Sequence, residues 1–200
     1  GIDNVLVLRG DARKADATFV PTPGGHAYAS GLLKQVTQMN QGKYLHQEHD
    51  DTFKTDFCIG VAGYPEKHFE SPNLKTDFKY LKKKVDLGAD FIVTQMFYDV
   101  QKYIDFVEQC RKNDIHVPII PGLKPITSSK QLVSLPKLFH IDVPEALSEA
   151  VSSCKSEAEV KEVGIEWMIH QGKELVKIGA PVLHFYTMSN PGPTKKIAEA

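Results

Sequence analysis

The sequence predicts an α/β fold of the TIM (β/α)8 barrel class, with this chain supplying about the last five βα units. Three observations lead there. Apolar strand candidates alternate with amphipathic helices at a spacing of roughly forty residues, which builds right-handed βαβ units and a parallel sheet covered by helices. Polar residues gather just after several strands, where a barrel carries its binding groups. No Gly-x-Gly-x-x-Gly follows any strand, so the fingerprint of a doubly wound dinucleotide sheet is missing. Five strands do not close an eight-stranded barrel, and Gly1-Ile2-Asp3-Asn4 leads straight into the first strand. The expectation is therefore a partial barrel domain over residues 1–200, its first three units lying outside this chain.

Each element has its own signal. Val5-Leu6-Val7-Leu8 is the first strand, ended by Arg9-Gly10-Asp11, and turn formers at Pro21-Thr22-Pro23-Gly24-Gly25 precede a helix from about Tyr28 to Asn40. The second strand spans Asp56 to Tyr64 and stops at Pro65. Leu74, Phe78, Leu81 and Val85 make the apolar stripe of a helix that Gly88 terminates. In the third strand, Asp90 to Asp99, period-two alternation puts Phe91, Val93, Gln95 and Phe97 on one face, so an amide projects where Phe and Val project. A helix over about Gln101 to Asn113 and a strand at Val117 to Leu123 follow, the strand's prolines lying near its ends. Short helices separated near Pro136 and Pro144 lead to a long helix, Ser156 to Lys177, with Ser156 and Glu159 as a capping box and Gly179 as its stop. Pro181 to Thr187 is the fifth strand, before a weakly helical tail.

Composition narrows the partners. With 42% hydrophobic and 24% charged residues the chain is an ordinary globular one. The net charge of -1 gives no general pull towards nucleic acid or anionic lipid, so any anion site is local. Cys58, Cys110 and Cys154 are odd in number and form no C-x-x-C pair, which argues against a disulfide framework or a structural zinc and fits a reducing cytoplasm. No run approaches the roughly eighteen apolar residues of a membrane span.

Loops after barrel strands converge on one pocket. That gathers Arg9, Gly10 and Asp11; Tyr64, Glu66 and His68; Gln95; Lys124, expected as a solvated surface charge; and Tyr186.

These residues carry a resemblance. Leu8-Arg9-Gly10-Asp11, Ala62-Gly63-Tyr64-Pro65-Glu66-Lys67-His68, Lys84-Val85-Asp86-Leu87-Gly88-Ala89, Thr94-Gln95-Met96-Phe97-Tyr98-Asp99, Ile120-Pro121-Gly122-Leu123-Lys124-Pro125 and His184-Phe185-Tyr186-Thr187 resemble, in order, the motifs of the methylenetetrahydrofolate reductase family. The resemblance implies a flavoprotein barrel in which FAD carries electrons from NAD(P)H to 5,10-methylenetetrahydrofolate by ping-pong exchange, in a homo-oligomer. It implies flavin contacts at Leu8, Arg9, Gly10, Asp11, Tyr28, Ala29, Ala62, Tyr64 and His68, and a helical face of Asp77, Tyr80, Lys83 and Lys84 for ribose, adenine and pyrophosphate. Asp11, the catalytic position, would lie between flavin and pterin, while Gln95, Leu135 and Tyr186 would meet the substrate. Two departures follow. Asn190 stands where many members carry a basic residue, and the family's general-acid glutamate belongs to a strand before Gly1, so this segment alone is expected to be inactive.

Two other readings compete. Lys124 could serve a lyase or aldolase as a Schiff-base lysine, which would need burial and a depressed pKa. A chain that binds nucleotide without turnover is the non-enzymatic alternative.

Overall fold

The computed structural model describes residues 1–12, 18–45 and 53–200. Five strands form one sheet: β1 (Asn4–Val7), β2 (Cys58–Gly63), β3 (Phe91–Met96), β4 (Ile119–Leu123) and β5 (His184–Phe185). All are parallel and neighbours in sequence order, β1-β2-β3-β4-β5. A doubly wound sheet reverses its strand order at a switch point. The unbroken order instead makes this sheet an arc of a TIM barrel, as the sequence predicts.

The helices are α1 (Ala29–Asn40), α2 (Leu74–Asp86), α3 (Val100–Lys112), α4 (Gln131–Phe139), α5 (Glu145–Ser152), α6 (Glu157–Lys177) and α7 (Pro191–Ala198). Their starts follow local chemistry. Asn73 accepts from Thr76 N at the head of α2, and Asp99 from Gln101 N at the head of α3, so the acid closing the third apolar run is a cap. Its counterpart Asp90 accepts from Ile59 N at 2.7 Å and locks the start of β3 to β2. Ser156 caps α6, but Glu159 reaches back to Lys155 N rather than to Ser156 N. Pro136 does not separate helices. It lies inside α4, which ends soon after at His140 in the left-handed conformation, φ 53°.

Two strand boundaries differ from expectation. β5 contains only His184 and Phe185, because Pro181 to Leu183 make no ladder. In β3 a bulge between Val93 and Met96 inserts an extra residue opposite β4, which shifts the side-chain phase. Phe97 consequently leaves the face of Phe91 and Val93 and stacks on Tyr103 of α3, ring centroids 5.7 Å apart. Leu74 is 51% exposed, so the α2 stripe narrows to Phe78 and Leu81 with Val85 beside them.

The core lies between the sheet and its helices, with Val61, Ile92, Ile119 and Leu123 from the strands against Phe106, Cys110, Met168 and Leu175. Helices reach in to bond carbonyls at the start of β4 and just beyond β3. Tyr103 Oη donates to Ile119 O, Trp167 Nε1 to Tyr98 O and Gln171 Nε2 to Phe97 O. On the bore face a Cβ at Gly60 would stand 2.4 Å from the Phe91 ring and 3.0 Å from Leu6, so this glycine exists to let the ring lie across β2.

Gly164, in the middle of α6, costs helix propensity, yet a Cβ there would sit 1.8 Å from Ile126 O. The close approach seats the loop after β4 against α6. Gly164→Ala should therefore lower the unfolding free energy by about 1–3 kcal/mol, where propensity alone would raise it by about 1 kcal/mol. Denaturant unfolding of the two proteins reads the sign directly.

Candidate functional site

The polar groups converge at the C-terminal ends of the strands. Their arrangement starts from the β3 bulge. Gly122 N donates to Thr94 Oγ1 at 2.9 Å, and Tyr186 Oη donates to Thr94 O at 2.8 Å, so a side chain from β3 and one after β5 replace ladder bonds. Gly122 permits this, since a Cβ there would meet Thr94 O at 2.2 Å and the Tyr186 ring at 2.7 Å. Gln95 Oε1 accepts from Met96 N at 3.0 Å, leaving its NH2 group without a partner among the described residues. Gln95 and Met96 line a cleft with Tyr64, Glu66, His140 and Ile141.

Tyr64 links the two sides of this mouth. Burial pushes its phenol pKa up; Asp77 adds to that, Arg9 opposes it, and Asp11 and Glu70 push it further up. Tyr186 is pushed up to about 12 by burial and by the neighbouring Tyr64. The sites predicted after β1, β2 and β5 are thus one electrostatic neighbourhood.

On the β1–β2 side the groups pair with each other. Both terminal guanidinium nitrogens of Arg9, Nη1 and Nη2, donate to Glu70, at 2.8 and 2.7 Å, beneath the rings of Phe19 at 5.0 Å and Tyr28 at 6.0 Å. Asp77 accepts from Ser71 Oγ and His68 N, which closes the turn into α2. Lys84 turns in from α2 to donate to Ala62 O, and burial draws its pKa down to about 8 against the pull of Asp77. Asp77 and Lys84 are half-buried beside the end of β2, whereas Tyr80 and Lys83 are exposed. His68 meets Tyr64 edge-on at 4.6 Å. Leu8, Gly10, Asp11 and Tyr28 are exposed, Ala29 and Ala62 half-buried.

On the β3–β5 side Leu135 is 4% exposed. Lys124 is no solvated charge: it is 8% exposed, and burial lowers its pKa. Asn190 is exposed at the head of α7. Sequence reasoning did not find Glu70, whose only signal is its distance of two residues from His68, or His184, which meets Tyr186 at 4.8 Å. No group of His, Cys, Asp and Glu among the described residues could hold a metal ion. No described helix is long and apolar enough to cross a membrane.

A flavin dinucleotide is compatible with this surface. Leu8, Tyr28 and Tyr80 are 52, 66 and 56% exposed, apolar area that a planar ligand would cover, beside the donors Arg9 and Tyr64 and the cation Lys83.

The sequence pattern of the family described as "Methylenetetrahydrofolate reductase" matches residues 1–200. "Methylenetetrahydrofolate reductase 1" of Schizosaccharomyces pombe is 37% identical over 100% of this chain and 31% of its own length. "Methylenetetrahydrofolate reductase (NADH) 1" of Arabidopsis thaliana is 38% identical over 94% of this chain and 31% of its own. "Probable methylenetetrahydrofolate reductase (NADPH)" of Caenorhabditis elegans is 31% identical over 100% and 28%. The chain thus spans about a third of the length of these relatives.

Glu66 gives the site a pH dependence. It accepts from Asp142 N at 3.0 Å, yet burial raises its carboxyl from 4.5 to about 7. The folded state then binds more protons than the unfolded state between pH 4.5 and 7, so stability falls as pH rises through that window. Glu66→Gln should flatten this slope in thermal unfolding across the range. A slope as steep as that of the parent protein would assign the dependence elsewhere.

Proposed function

The chain belongs to the methylenetetrahydrofolate reductase family, and on that premise we propose that it forms part of an enzyme reducing 5,10-methylenetetrahydrofolate to 5-methyltetrahydrofolate with NAD(P)H. The supporting observation is that the family's ordered motifs meet at one mouth around Tyr64, with Gln95 and Tyr186 on one side and Arg9, Asp11 and Lys84 on the other.

The reaction opens the bond from the methylene carbon to N10, delivers a hydride to that carbon and a proton to N10, and leaves a methyl group on N5. FAD, when bound, would supply two-electron transfer between the nicotinamide and the folate in ping-pong order. The β1–β2 residues would hold it. Arg9 and Tyr64 offer donors to the ring system, Lys83 and Lys84 cations to the pyrophosphate, and Leu8 and Tyr28 apolar cover.

Asp11 is exposed at the rim and would accept from the amino and ring N–H groups of a pterin. Gln95 would donate its NH2 to a pterin oxygen, because its own oxygen is engaged by Met96. Tyr186 already donates its proton to Thr94 O, so it would present a ring rather than an acid. Leu135 would pack the same ligand. None of these residues is assigned the part of the proton donor to N10. Homo-oligomerisation and a cytoplasmic location belong to the same proposal.

The test is to purify the full-length gene product, record its visible spectrum for bound flavin, and assay NAD(P)H oxidation with methylenetetrahydrofolate. The 200-residue segment assayed alongside should show no turnover. A colourless protein that oxidises no NAD(P)H in the presence of the folate would refute the proposal.

Gln95→Ala in the full-length enzyme should slow folate reduction more than NAD(P)H oxidation with an artificial acceptor. One lost hydrogen bond corresponds to about 0.5–1.5 kcal/mol, or roughly two- to tenfold. Equal losses in the two half-reactions would take Gln95 out of folate recognition.

A further inference from the structure

Among the described residues Lys124 is the one buried side chain that carries a charge, 8% exposed. It follows the last residue of β4, and period-two alternation puts it on the face that Gly122 shares with Tyr186, opposite Leu123 in the core. No described residue bonds its Nζ. The fully enclosed polar atoms without partners are Tyr98 Oη and Gln171 Oε1, so the ammonium itself reaches open space from a buried stem. Its loop is held rigid by Pro125 and by the seat of Ile126 O against Gly164.

The surrounding charges leave this cation alone. The carboxylates of the mouth, Asp11, Asp77 and Glu70, act on Tyr64, and burial is the influence felt by Lys124, with no acid opposing it. Lys102, by contrast, pairs with Asp142. A lysine stem held in a buried place fixes the position of its cation without a counter-charge, and methionine of similar length would fill the place of the stem. A ligand would bring the missing negative charge.

We propose that Lys124 is an anion-contact residue on the substrate side of the mouth, its ammonium donating to a carboxylate or phosphate oxygen of a bound ligand. The proposal rests on the reductase reading, whose two substrates each carry such a group: glutamate carboxylates on the folate, a diphosphate on the nicotinamide dinucleotide.

The experiment compares the full-length protein with Lys124→Met and Lys124→Arg. Direct titration measures binding in two pairs: tetrahydrofolate against tetrahydropteroate, which lacks the glutamate, and NAD(P)H against dihydronicotinamide riboside, which lacks the phosphates. Lys124→Met should weaken one charged ligand about tenfold and leave its truncated partner unchanged, and the pair affected identifies the source of the anion. Lys124→Arg should retain most of the affinity. Ligand-free Lys124→Met should melt at or above the parent temperature, because methionine fills the buried place of the stem and removes a cation that has no protein partner among the described residues. Unchanged discrimination in both pairs overturns the proposal, as does equal weakening of charged and truncated ligands. A parent protein that binds these ligands without turnover counts against the reductase reading and not against Lys124.

Discussion

The sheet's far end depends on Thr94. Its hydroxyl oxygen accepts from Gly122 N and its carbonyl from Tyr186 Oη, so one residue joins three consecutive strands at a point where the ordinary ladder is interrupted. β5 is only two residues long and could hardly be held by its own pairings. Tyr186 supplies a second attachment through its ring and hydroxyl, and Gly122 supplies the room for that ring. The same interruption sends Phe97 toward the helices while Gln95 stays at the mouth. A single inserted residue thus separates cleft-lining from core side chains within one strand.

The two halves of the mouth are built on opposite principles. Around β1, β2 and α2 the charged groups are matched internally, Arg9 to Glu70, Asp77 to Ser71 and the His68 amide, Lys84 to the Ala62 carbonyl. Such groups are preorganised, and a cofactor that settles there meets a surface needing little rearrangement. Around β3 to β5 the groups are left open, with the Gln95 amide and the Lys124 ammonium lacking partners among the described residues.

Element order was legible in the sequence because amphipathic stripes and stop signals are local. Gly88 and Gly179 both adopt positive φ at helix ends, as a terminating glycine should. The barrel reading followed from what was missing after each strand, and the sequential strand order bears it out. What escaped was non-local. Alternation assigned Phe97 to the face of Gln95 because a bulge depends on the partner strand, which no window of sequence contains. Lys124 was read as a surface charge because lysine usually is one; its 8% exposure depends on tertiary neighbours that no window of sequence contains. Lys84 was grouped with Lys83 by the resemblance, and of the two it is Lys84 that bonds the Ala62 carbonyl. Pro136 was taken as a break, whereas a helix as short as α4 contains it. Arg9, Tyr64 and Tyr186 came together as the motif order implied, because strand ends in a parallel sheet have nowhere else to converge.

The floor of the bore carries a different kind of information. Gly60 has no side chain because the Phe91 ring occupies the space, and Leu6 closes the far side. Three residues on adjacent strands therefore share one volume. A larger residue at position 60 becomes acceptable only in a background where position 91 has lost its ring, and a smaller residue at 91 opens a hole that position 60 is free to fill. Over generations these sites should drift as a linked set, each historical path between alternatives passing through a small-small intermediate rather than a crowded one.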